Sequence, residues 1–166
     1  MQDFTLMMDK AMEAISTDGA FLTVKNEGIV NTMTIAWGFV GFMWRKPHFI
    51  TVVRPTRYTN DVLEEGHGAE CYTISVPFKG KLKNELTICG TKSGRDIDKS
   101  QVVSFTPAKS VASPIVANCD LYYECKLNMV QALEGWLLPP QFAESLYPDR
   151  DFHIMYWGEI IECYAG

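Results

Sequence analysis

Ile29-Val30-Asn31-Thr32-Met33-Thr34-Ile35-Ala36-Trp37-Gly38 is the stretch on which the reading of the fold turns. Its β-branched and apolar residues predict a strand over Ile29–Trp37, although Asn31, Thr32 and Thr34 interrupt the run with polar side chains. Upstream, Ala20–Lys25 is strand-like, and Asn26-Glu27-Gly28 is a turn signal between the two. Downstream, Gly38 separates the segment from a strand over Phe39–Trp44. Lys46-Pro47 reads as the stop of that strand, and Phe49–Val53 as a compact β-branched strand running straight into Arg54-Pro55-Thr56-Arg57-Tyr58-Thr59.

Working outward, Phe4, Met7, Met8, Ala11, Met12 and Ile15 recur at helical spacing, and Thr17-Asp18-Gly19 ends that amphipathic helix. Thr59 or Asn60 can cap a short helix through Glu65, with Gly66 as its exit. Tyr72–Val76 alternates as a strand up to Pro77. Leu82, Glu85, Leu86 and Cys89 predict a helix over Lys79–Cys89, followed by a polar loop and a helical turn over Asp96–Ser100. Ile115–Ala132 is rich in strand formers and too long for one flat strand, so a bend or hairpin is expected within it. Trp136–Pro140 breaks regular structure, Gln141–Tyr147 forms a small helix, and His153–Tyr164 alternates as a last strand. Many strands with few short helices predict a mainly β, small antiparallel barrel with helical decoration, as one domain over residues 1–166.

The formal charge of -5 over 166 residues argues against a nucleic-acid partner, since phosphate backbones call for a basic face. No apolar run is long enough to cross a bilayer, so no membrane association is expected. Met1-Gln2-Asp3-Phe4 lacks the basic start and apolar stretch of a secretory signal, and the expected location is the cytoplasm. Five cysteines (Cys71, Cys89, Cys119, Cys125 and Cys163) show no C-x-x-C spacing and read as buried small hydrophobes. Cys89, beside Gly90 and a polar loop, is the one to test for reactivity. His48, His67 and His153 have no metal-ligand spacing, so no metal site is expected.

Three polar groups remain that could carry chemistry. Arg54, Thr56, Arg57 and Thr59 lie after a strand and before a helix start, where a phosphate would meet guanidinium forks, hydroxyls and helix amides. A solvated turn with two surface arginines fits the same residues equally well. If the Asn31–Gly38 segment lies at a sheet edge, its amides and carbonyls are free to pair with the polar edge of a flat heteroaromatic ring. A solvent-facing strand with threonines is the plainer reading of it. Ser93-Gly94-Arg95-Asp96 with Lys99 favours an anion but lacks the glycine spacing of a Walker loop. No nucleophile–base pair is visible, so redox or group chemistry would belong to a bound cofactor.

Taken in order, Asn31-x-Met33-Thr34-x-x-Trp37-Gly38, Arg54-Pro55-Thr56-Arg57-Tyr58-Thr59, Tyr72-Thr73-x-Ser75-x-Pro77, Cys89-Gly90-x-x-Ser93-Gly94-Arg95-Asp96-x-Asp98-Lys99 and His153-x-x-x-x-Gly158-Glu159-Ile160 resemble the flavin reductase-like family, of the flavoredoxin and ferric reductase type. The match runs from about Gly19 to about Cys163. The resemblance implies an FMN-binding split β-barrel with Greek-key connections, a homodimer with each flavin near the subunit interface, and an FMN-dependent NAD(P)H oxidoreductase. Electrons would pass from NAD(P)H, or from a redox protein, to ferric iron, free flavin or a redox partner. The alternative is an FMN-bound electron-transfer protein without significant NAD(P)H turnover; a third reading is a barrel of the pyridoxamine-oxidase or haem-binding type. By motif position, Met33, Thr34, Ile35 and Ala36 would lie along the isoalloxazine ring, with Asn31 and Trp37 as further cofactor-binding residues. Arg54, Thr56, Arg57, Tyr58 and Thr59 would cover the ribityl and phosphate side, with Ser93, Arg95 and Lys99 as further contacts. No protein side chain is expected to be a catalytic group, the chemistry lying at flavin N5; His153 is the one candidate, on the nicotinamide side. Ser75 stands where many relatives have asparagine. The Trp136–Arg150 stretch looks specific to this lineage and could cover the flavin's exposed face, and the short segment after the last strand leaves little tail to reach across a dimer.

Overall fold

The computed structural model describes residues 3–64 and 68–166. The Asn26–Gly28 signal closes β1 (Ala20–Asn26) and β2 (Ile29–Ile35) into a hairpin. Glu27 and Gly28 both take positive φ, 47° and 84°, the two-residue geometry that matches the twist of paired strands. A second hairpin joins β3 (Gly38–Met43) to β4 (Lys46–Val53) through Trp44 and Arg45, at φ 51° and 62°. Neither residue is a turn former, so the sequence places the stop two residues late; Lys46-Pro47 opens β4 instead. Pro47 pairs with Phe42 of β3, while the ladder on the other side of β4 begins only at His48, so the proline lies outside it.

Helix α1 (Met8–Thr17) precedes β1, and α2 (Tyr58–Glu64) follows β4. Then come β5 (Cys71–Val76), α3 (Lys83–Thr91), a 3-10 turn at Lys99–Gln101, and the short ribbon β6 (Phe105–Thr106) and β7 (Ile115–Val116). The long strand β8 (Leu121–Ala132), a second 3-10 turn at Gly135–Leu137, α4 (Pro140–Leu146) and β9 (Ile154–Ala165) complete the chain. Met7 is left-handed and delays α1, so Phe4 and Met7 pack on the core from turns rather than from the helix. Left-handed Lys79 and Leu82 delay α3 in the same way. Helix α2 starts at Tyr58, one residue before the expected cap, with Thr59 and Asn60 buried in its first turn. Its expected exit at Glu65-Gly66 lies outside the described residues, as does His67. The bend expected within Ile115–Ala132 is the left-handed turn at Asn118 between β7 and β8.

The main sheet runs β2-β1-β5-β8-β9-β4-β3, and every ladder is antiparallel. Its two edges, β2 and β3, are joined by Ala36-Trp37 alone, and so short a link spans at most about 11 Å. The sheet must therefore curl until its edges meet at that end. Among the described residues no ladder seals β2 to β3, which makes this a split barrel. After β4 the chain crosses to lay β5 beside β1, the Greek-key return.

Leu22, Phe49, Tyr72, Ile74, Tyr123 and Tyr156 fill the interior, each fully buried aliphatic or aromatic side chain contributing about 1.5–3 kcal/mol. Tyr72 donates its hydroxyl proton to the Phe49 carbonyl at 2.5 Å. Gly158 makes room for that phenol: a Cβ there would come within 2.5 Å of the Tyr72 oxygen. A second cluster, including Phe21, Leu86, Val116 and Tyr122, packs α3 on the outer face of the sheet. With the interior filled, space for a ligand lies at the surface, including along the open edge of β2.

Candidate cofactor site

Among the described residues strand β2 pairs with β1 only, which leaves one of its two edges open. Counting from the closing pair Asn26↔Ile29, the alternation of an antiparallel ladder turns the backbone groups of Asn31 and Met33 towards β1 and those of Thr32 and Thr34 outward. The side chains of the block are less available than the sequence implies. Thr34 donates to the Leu86 carbonyl at 2.6 Å, and the Thr32 and Thr23 hydroxyls share a 2.9 Å hydrogen bond. Asn31 is buried and donates from Nδ2 to Thr59 Oγ1 at 2.9 Å. What the block offers a ligand is backbone, not hydroxyl groups.

Two clefts of about 180 Å³ each flank this edge and adjoin at Met33 and Arg57. The first is lined by Met33–Trp37, Val52, Arg54, Arg57 and His153. The second is lined by Asn31–Met33, Thr56–Thr59, the 89–96 segment and Lys99. The candidate cofactor residues all line these two adjoining clefts, although they come from β2 and the link after it, the turn after β4, α2, the loop after α3 and the residue ahead of β9.

In the second cleft the cations differ sharply in how they are held. Arg95 is paired with Asp61, donates to the Thr56 carbonyl at 3.3 Å and lies over the Tyr58 ring. Lys99 is only 3% exposed and donates to the Cys89 carbonyl at 3.2 Å and the Lys92 carbonyl at 2.5 Å, with no carboxylate paired to it among the described residues. Burial lowers its pKa. The Arg57 guanidinium is exposed and makes no hydrogen bond or ion pair among the described residues. Gly94 presses the loop against β2: a Cβ there would lie 2.1 Å from Asn31 Oδ1 and 2.7 Å from Tyr58 Cδ1. Ser93 Oγ accepts the Arg95 amide at 3.1 Å, fixing the same turn. Cys89, in the lining, is 3% exposed, and burial raises its pKa, which leaves it protonated and unactivated.

The first cleft holds a contact that no motif signals. Arg54 donates to Asp151 Oδ1 at 2.5 Å and to the Leu146 carbonyl at 2.8 Å, and its guanidinium lies 5.0 Å from the Tyr147 ring centre. It ties down the 133–152 segment, with two of its N–H donors given to protein acceptors. Asp151 is held below the usual carboxylate range chiefly by its hydrogen bond from Arg54. The ring of His153, just ahead of β9, lies tilted against Trp37 with centroids 4.9 Å apart, and its Nδ1 lies 2.7 Å from the Tyr147 hydroxyl. Burial, reinforced by Arg54 and Arg57, pushes the His153 pKa down to about 4. Tyr147, Asp151, Lys92 and Val52 were not singled out by any motif, because their part in the site comes from distant pairing and from strand faces.

The flavin reductase like domain model matches residues 12–166. The chain belongs to that family. Members of it are flavin-binding redox proteins, and the oxidoreductase class of this chain follows. No curated protein matches the chain. Among solved structures, the FMN-binding protein of Thermus thermophilus with bound 1-cyclohex-2-enone is 22% identical over 88% of this chain and 68% of its own, with a TM-score of 0.68. The flavoredoxin of Methanosarcina acetivorans is 22% identical over 90% and 68%, with a TM-score of 0.67. The NADH:FAD oxidoreductase of Streptomyces globisporus C-1027, solved with NAD and FAD fragments, is 15% identical over 100% and 86%, also at 0.67. At such identities these likenesses establish a shared fold. Among the described residues no group of three or more His, Cys, Asp or Glu side chains converges as a metal site, and no helix is long and apolar enough to cross a membrane.

Proposed function

We propose that the two joined clefts hold FMN and that the protein passes electrons from a nicotinamide nucleotide through that flavin to an acceptor. The observation that carries this reading is the continuity of the clefts at Met33 and Arg57. An open strand edge and an aromatic wall lie on one side of that junction, and a concentration of positive charge on the other. In a chain of formal charge -5, Arg57, Lys92, Arg95 and Lys99 converge on the second cleft. Unpaired Arg57 and buried Lys99 are the groups a phosphate would satisfy. Thr56, Tyr58, Thr59 and Ser93 complete the polar lining there. The segment Met33–Trp37 would lie along the ring, with the outward backbone groups of Thr34 as hydrogen-bonding partners for its polar edge.

Bound FMN supplies the capacity to accept a hydride and release electrons singly or in pairs. The chain's own part is to bind, orient and shield. Trp37, Val52 and His153 limit water on the ring side, and the cations set the local field. NADH or NADPH as donor, and ferric iron, free flavin or a redox protein as acceptor, are part of the proposal. So is a homodimer, which the exposed apolar side chains Phe39, Trp44, Trp136, Leu137 and Phe142 support. A cytoplasmic location is supported by five cysteines that are all buried thiols.

The test is the visible spectrum of the purified protein, with a fluorescence-quenching titration of added FMN, followed by bleaching with NADH and NADPH. A yellow protein whose flavin is bleached rapidly by one nucleotide is expected. A colourless protein that ignores FMN contradicts the site. Slow bleaching by both nucleotides, with rapid exchange to a redox protein, assigns an electron carrier instead of a reductase.

A further inference from the structure

We propose that Tyr147 is a positioning residue that holds His153 as a neutral imidazole, with Nδ1 accepting and Nε2 carrying the proton available to the cleft. Tyr147 is 6% exposed and does not line either cleft, and its hydroxyl has one hydrogen-bond partner among the described residues, His153 Nδ1 at 2.7 Å. A buried phenol proton needs an acceptor, and Nδ1 is the one within reach. The phenol therefore donates, and the imidazole proton is left on Nε2. Ring contacts restrain the imidazole as well: the Tyr147 ring meets His153 edge-on at 5.5 Å, and Trp37, in the cleft lining, lies tilted against it at 4.9 Å.

The support of this pair comes from a part of the chain remote in sequence from the cleft's other walls. Tyr147 follows α4 directly, and its ring lies beside the Arg54 guanidinium that grips Asp151 and the Leu146 carbonyl. Phe152 packs on the other flank of the ring at 5.0 Å. The charged and titratable groups around His153 are Arg54, Arg57, Asp151 and Tyr147, and the two arginines oppose a third positive charge. A neutral N–H donor in the wall opposite Met33–Ala36 can orient an acceptor atom of a bound molecule without titrating near neutrality. The value of that donor to electron transfer rests on the flavin reading above; the tautomer itself does not.

The test uses the full chain, uniformly labelled with nitrogen-15, with and without added FMN. Long-range proton–nitrogen spectra of the ring should show one His153 tautomer, protonated at Nε2, that does not titrate between pH 5 and 8. In Tyr147→Phe, which keeps the ring and loses the hydroxyl, the two tautomers should interconvert, while burial and the two arginines still keep the ring neutral over that pH range. A wild-type His153 that is protonated at Nδ1 or averages between tautomers overturns the proposal, and so does a Tyr147→Phe spectrum identical to wild type. The ring spectra are read whether or not flavin binds, so failure of the FMN site and failure of this assignment give different results.

Discussion

Arg54 and Arg57 stand three positions apart on one turn, yet the structure gives them opposite circumstances. Arg54 is spent on the protein, holding Asp151, the Leu146 carbonyl and the Tyr147 ring. Arg57 has no partner among the described residues and projects where the two clefts meet. The same contrast runs through the two clefts. Beside Arg54 the polar groups are mutually satisfied and the wall is aromatic and rigid. Beside Arg57, positive charge exceeds negative, and buried Lys99 has only carbonyl partners. A motif shows which residue types are present; partners elsewhere in the chain decide which of them are left for a ligand.

The largest effect is expected from Lys99→Met, which keeps the length and apolar stem of the side chain but strips donors from the Cys89 and Lys92 carbonyls. Each orphaned carbonyl costs about 1–3 kcal/mol. The variant should melt clearly below wild type and lose flavin binding, and denaturant unfolding with an FMN titration reads both. Wild-type stability together with wild-type FMN affinity would show that Lys99 holds neither the loop nor the ligand. Gly94→Ala comes next. Its Cβ would overlap Asn31 Oδ1, so the loop must shift, at about 1–3 kcal/mol for overpacking. FMN affinity should fall while the Arg54 side is untouched, visible as unchanged Trp37–His153 ring contacts in nuclear Overhauser spectra.

The smallest effect is on pH dependence. The folded His153 pKa of about 4 lies below the ordinary 6.5, so the unfolded chain takes up this proton first. The contribution to stability is complete above pH 6.5, is lost progressively as pH falls from 6.5 towards 4, and is constant below that. Thermal melts of His153→Gln against wild type should converge across that window. Curves that stay parallel would remove His153 as the source.

The fold was largely legible because its signals are local. The Asn26–Gly28 turn, the β-branched run of Phe49–Val53 and the alternation after His153 each predict their element unaided. The β3–β4 turn was not, since Trp44 and Arg45 adopt left-handed backbone without being turn residues. Nor was the start of β4, because a proline is tolerated where the neighbouring ladder has not begun. At the site, the motif residues of β2, the Arg54–Thr59 turn and the 89–99 segment converge on two adjoining clefts, and several of them also have partners within the protein. The Thr34 hydroxyl faces the Leu86 carbonyl, Arg54 finds Asp151 across 97 residues, and Cys89 is buried against the sheet. Each depends on a partner that no local pattern encodes. Tyr147 lay in a segment expected to cover the flavin; its contact with His153 places it behind the cleft wall.

The division between the two arginines is tested most directly by titrating FMN and riboflavin into wild type, Arg57→Ala and Arg54→Ala. Losing one charge-assisted contact to phosphate costs about 1.5–3 kcal/mol, or about 10- to 150-fold in affinity. Arg57→Ala is predicted to lose that factor for FMN and much less for riboflavin, while Arg54→Ala changes both ligands alike. Equal losses for Arg57→Ala, or a phosphate-selective loss for Arg54→Ala, would contradict the account.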